Sequence, residues 1–132
     1  MSLIEVTRRV VDGSMQGVYS FLKFTTETGE DFGDDWLPTL DLSLKVDARG
    51  QVLWKFYEKP TASEVTVQAR SAMGFLVKGQ ILANDLVRRL LNTSESLPQE
   101  ERRLVIDDYA RKLRRSGHDK KRTAEIVLAG IR

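Results

Sequence analysis

A chain of 132 residues with 41% apolar and 30% charged side chains has the size and balance of one globular domain, or part of one. The absence of cysteine excludes disulfides and thiolate metal sites, and a single histidine, His118, argues against histidine-based zinc or triad chemistry. The net charge of +2 hides a division: residues 1–64 carry seven basic and eleven acidic side chains, residues 65–132 fourteen and eight.

Leu3, Val6, Val10, Val11 and Met15 recur at helical spacing and predict a short amphipathic helix, closed by Gly13 and Gly17. Tyr19 to Thr26, aromatic and β-branched, reads as a strand. Next comes an acidic stretch containing Phe32-Gly33-Asp34-Asp35, an aromatic-x-Asp-Asp pattern like that with which RNA-copying polymerases clamp two magnesium ions. Such a clamp needs rigid, apolar flanks. Here the flanks are polar, with Gly29 before and Pro38 after, so the segment reads as a solvated loop.

Leu40, Leu42, Leu44 and Val46 then alternate with Asp41, Ser43, Lys45 and Asp47, predicting a strand with one buried face. Asp47-Ala48-Arg49-Gly50 has the residues of a type I turn, and Val52, Trp54 and Phe56 alternate as far as Pro60, so a β-hairpin is expected. Large aromatics dominate core burial, so the Val52, Trp54 and Phe56 face is expected to pack on the helices.

After residue 64 the period becomes helical. Met73, Leu76, Val77, Gln80, Ile81, Asn84, Val87, Leu90 and Leu91 trace one stripe, with Leu86 also assigned to the core and Arg88 and Arg89 left to the surface. Ser96 is the expected N-cap of a second helix, with Gln99 reciprocating and an apolar stripe at Leu104, Val105, Tyr109 and Leu113. Gly117 is the expected left-handed terminator and Asp119 the cap of a third helix carrying Ile126, Val127 and Ile131. His118 is expected to be an exposed residue between helices. A helix-turn-helix centred on Gly117 fits poorly, because Leu113 and Thr123 occupy positions that want a small and an aliphatic residue. The predicted class is α+β: an N-terminal helix, a strand and an antiparallel hairpin over 1–64, then a three-helix bundle over 65–132. The boundary is set at Pro60, Thr61 and Ser63, where period and charge both change.

Three segments in order carry a resemblance. Lys23-Phe24-Thr25-Thr26-Glu27, Leu37-Pro38-Thr39-Leu40-Asp41 and Tyr57-Glu58-Lys59-Pro60-Thr61 resemble the region downstream of the catalytic aspartates in reverse transcriptases of eukaryotic retroelements, including Penelope-like elements. The helical remainder, with "ILANDLVRRLLNT" and "VIDDYARKLRRSG", also resembles retroelement polyproteins. Thr39 and Glu58 depart from the family, which usually has phenylalanine and often arginine there.

The resemblance implies that 1–64 is the end of the palm with a hairpin like the primer grip, and that 65–132 is a basic thumb holding template–primer duplex by its phosphates. It implies that the catalytic aspartates and their magnesium lie upstream, before Met1, and that the Phe32–Asp35 pattern is coincidental. No catalytic, metal or cofactor residue is then expected here, and the chain alone is not expected to polymerise. Lys59 at the hairpin exit, with Arg70, Lys78, Arg88 and Arg89 placed on the first long helix, are the expected contacts to duplex nucleic acid, bound weakly. The remainder of a larger polymerase is a further expected partner. The competing readings are a protein-interaction or structural helical module (a domesticated retroelement fragment) without nucleic-acid binding, and a metal-dependent nuclease or polymerase using Asp34 and Asp35. No apolar run approaches the roughly 18 residues of a membrane span. The start, Met1 to Glu5, lacks the regions of a signal peptide, so an intracellular, membrane-free protein is expected.

Overall fold

The computed structural model describes residues 5, 6, 8–10 and 25–132. The fold is α+β. Strands β1 (Leu37–Thr39), β2 (Leu42–Val46) and β3 (Val52–Phe56) form a sheet in that order, followed by helices α1 (Phe75–Leu91), α2 (Gln99–Arg115) and α3 (Lys120–Ile131). No described helix is long and apolar enough to cross a membrane. The chain divides into two compact units, Met1–Leu37 and Pro38–Arg132, so the hairpin and the three helices fall in the same unit.

Of the expected N-terminal helix, residues 5, 6 and 8–10 are helical; the rest lies outside the described residues. The strand expected over 19–26 also lies outside them, apart from Thr25 and Thr26, which are irregular. The acidic stretch is a loop organised by its own carboxylates. Asp31 accepts the Thr28 amide at 2.7 Å and Arg8 at 2.5 Å, and Asp34 accepts the Trp36 amide at 3.2 Å. The Arg8 guanidinium, then the Thr28 amide, hold the Asp31 carboxyl below its ordinary pKa.

In the second unit β2 and β3 pair antiparallel, with Leu44 opposite Trp54 and Val46 opposite Val52. Asp47 closes the turn by accepting the Arg49 and Gln51 amides at 2.8 and 2.9 Å, and Gly50 takes a positive φ. The expected burial of this hairpin is corrected at two points. Ser43, on the face opposite the leucines, is buried, whereas Val46 and Val52 are exposed; Trp54 is 37% exposed and outside the core. The core is instead helical: Leu82, Leu86 and Leu90 of α1, Tyr109 and Leu113 of α2, and Ile126 of α3. Inside it the Tyr109 hydroxyl donates to the Leu82 carbonyl at 2.7 Å, and burial pushes this phenol's pKa up.

The stripe expected to form the core of α1 is for the most part its outer face. Of that set only Leu90 is buried; the inner face consists of Lys78, Leu82, Ala83, Leu86, Arg89 and Leu90. The inner face carries two cations, which a count of apolar residues passes over. At α2 the helix starts at Gln99 with Pro98 in the cap position, without a side-chain cap from Ser96. Gly117 adopts φ 94° and ends α2 as expected, and the Asp119 carboxylate accepts the Arg122 amide at 2.7 Å to cap α3.

His118 is not exposed. It is 4% exposed, its Nε2 lies 2.9 Å from the Val67 carbonyl oxygen, and Ser116 receives the Thr66 and Ala69 amides. The irregular segment before α1 is thereby laid along the α2–α3 turn.

Candidate nucleic-acid interface

Tyr57 to Lys59 leave β3 and run beside α2, enclosing an open groove of about 480 Å³. Its cations are Lys55, Lys59, Arg89, Arg111, Lys112 and Arg115, and its acids Glu58, Glu64, Glu101 and Asp108. On α2, positions 108, 111, 112 and 115 repeat at intervals of three and four, which puts them on one helix face. That spacing is visible in the sequence, yet Arg111, Lys112 and Arg115 are not among the contacts expected from it.

Glu58 organises the floor. It accepts from Lys112 and, at 3.3 Å, from Arg89. Burial alone would raise the Glu58 pKa, but the Lys112 hydrogen bond and the Arg89 and Lys112 charges together hold it below the ordinary 4.5. Because the folded value is depressed, this contribution is complete above the unfolded pKa and is lost as pH falls through the folded one. Acidification below about pH 4.5 is therefore expected to remove up to about 1 kcal/mol, a figure discounted because the carboxylate is more than one-third exposed. In thermal melts across that range, Glu58→Gln should show a smaller acid-induced fall than the parent. An equal fall would assign the acid sensitivity to other carboxylates.

The five expected contact residues do not converge on one surface. Lys59 is exposed, lines the groove and makes no ion pair among the described residues. Arg70 is exposed too, but lies in a turn before α1 rather than in the helix. Lys78 is buried, its Nζ donating to the Ala69 and Ser71 carbonyls at 2.8 and 3.1 Å. Arg88, half-exposed, bridges Asp41 at 2.6 Å and Asp85 at 3.0 Å. Arg89 is buried between the Phe56 and Tyr109 rings, 4.6 and 4.9 Å from their centroids, and pairs with Asp85 and Glu58.

An alternating chain of charges results, Asp41–Arg88–Asp85–Arg89–Glu58–Lys112, binding the hairpin exit to α1 and α2. The pairs Arg111–Asp108 and Arg115–Glu64 stand outside it, exposed at the groove rim. Exposed pairs of this kind are worth little and exchange partners readily. Among the described residues no cluster of three or more His, Asp or Glu side chains is placed to hold a metal ion. Comparison with protein-family models, curated proteins and solved structures found no match.

Proposed function

We propose that this chain is the palm-end and thumb segment of a retroelement reverse transcriptase, holding duplex nucleic acid by its phosphates without performing chemistry itself. The observation that carries the reading is the ordered set of motifs around the hairpin, whose last member contributes Tyr57, Glu58 and Lys59 to one wall of the groove. Lys59 offers there an ammonium that makes no ion pair among the described residues, and Arg111 and Arg115 can leave weak surface pairs for phosphate oxygens. Arg88 and Arg89 serve in this reading as the brace that orients the groove. Lys78 holds the segment before α1.

The test is binding of a labelled RNA–DNA hybrid as salt is varied. The logarithm of affinity should fall linearly with the logarithm of salt, by about 0.9 per phosphate neutralised on duplex DNA. Replacing Lys59, Arg111 and Arg115 together by alanine should lower that slope by about 2–3 units, equally for two unrelated sequences. A flat salt dependence, or no binding, removes the nucleic-acid reading. The competing protein-interaction reading is favoured by one observation, the exposed apolar residues Val46 and Val52 of the hairpin and Leu40 of the turn before it, which suit contact with the remainder of a larger polymerase.

A further inference from the structure

Helix α1 is apolar on two sides, and only one meets the core. Its outer side carries Met73, Val77, Gln80, Asn84, Val87 and Leu91, with Met73 just before the Gly74 cap. The intervals between them are four, three, four, three and four, the alternation of the a and d positions of a coiled-coil seam. The four apolar members are all exposed, Leu91 by 74% and Val77 by 56%. With Leu76 and Ile81 beside the seam, the exposed apolar surface comes to roughly 600 Å², against about 800 Å² per partner in a standard interface. It contains no charged residue. The cations beside it are already paired: Arg88 with Asp41 and Asp85, and Arg122 of α3, which shares a groove with Leu76, Gln80 and Asn84, with Glu125.

The seam is also self-complementary. In an antiparallel pair of identical helices, a positions meet d positions of the partner, and here every such pairing falls in one register: 73 with 91, 77 with 87, 80 with 84. The apolar residues face apolar residues, and the amides of Gln80 and Asn84 face each other. Within one chain Gln80 Nε2 already donates to Asn84 Oδ1 at 3.1 Å, and across a two-fold axis the same groups exchange partners and stay satisfied. A polar layer in an apolar seam fixes register at some cost in stability. We infer that this face binds a second copy of the chain, antiparallel through α1, with Gln80 of each copy opposite Asn84 of the other. The inference does not depend on nucleic-acid binding.

Sedimentation equilibrium of the full chain at about 100 μM should give twice the 15.0 kDa monomer mass, and Val77→Glu with Val87→Glu should return it to a folded monomer whose melting temperature, unlike the parent's, no longer rises with protein concentration. Since the protein has no cysteine, introduced thiols report register cleanly. Oxidising a mixture of Gln80→Cys and Asn84→Cys chains should give the mixed 80–84 crosslink in preference to either self-crosslink. A wild-type monomer at that concentration overturns the proposal, as does a dimer that survives the two glutamates. Predominant 80–80 and 84–84 crosslinks would overturn the antiparallel register, and a monomer whose face is protected by another part of the chain would name a different occupant.

Discussion

Leu86→Ala is expected to lower stability by about 3–5 kcal/mol, a large part of the roughly 5–15 kcal/mol that holds a domain of this size. Leu86 is fully buried at the centre of the helical core, and α3 approaches it through Gly130. A Cβ added at Gly130 would lie 2.9 Å from Leu86 Cδ2 and 3.1 Å from the Ala83 carbonyl oxygen, so the gap left by truncation has backbone on one side and cannot simply collapse. Chemical denaturation of the variant measures the loss. Gly130→Ala supplies the internal check: harmful in the parent, it should cost less in the Leu86→Ala background, and strict additivity of the two would show that these side chains do not meet.

Arg89→Ala is expected to cost about 3 kcal/mol, and Arg88→Ala within about 0.5 kcal/mol. The two are neighbours in sequence, and the sequence alone assigns them the same role. One helical step separates their surroundings. Arg88 is half exposed, pairs with the exposed Asp41 and shares Asp85 with Arg89, so its loss leaves Asp85 a cation, whereas Arg89 is 8% exposed, lies against two aromatic rings and neutralises Asp85 and Glu58. Removing it strips the cation from partly buried carboxylates and opens space beside Tyr109. Equal, small losses in thermal melts of the two variants would contradict this assignment.

The hairpin is legible in the sequence because its signal is local: alternation in 42–46 and 52–56, and the Asp47-to-Gly50 turn, all lie within 15 residues of chain. The end of α2 at Gly117 and the cap of α3 at Asp119 are legible for the same reason. The inward face of α1 is not. Periodicity reports that a face is apolar, not which of two apolar faces is covered, and the covered one carries Lys78 and Arg89. Their burial depends on Ala69 and Ser71 in one case and on Phe56, Glu58 and Tyr109 in the other, none of which lies on α1. The burial of His118 is hidden likewise, since its partner Val67 is 51 residues away. The groove is half legible: Lys59 comes from the motif at the hairpin exit, while the α2 wall needs the exit strand and the helix brought side by side.

The seam between the segment before α1 and the α2–α3 turn bears on how this unit assembles. Thr66 bonds to Ser116 across 50 residues, and His118 meets Val67 across 51. Closing so large a loop carries an entropic cost that no contact within a single helix offsets. The turn can reach its final arrangement only once the chain on the far side of two helices has come back to it. Residues that look like a tether between hairpin and bundle are thus contacts of long sequence separation, of the kind that slow a small domain's folding, and they fasten the chain before α1 to the far end of α2.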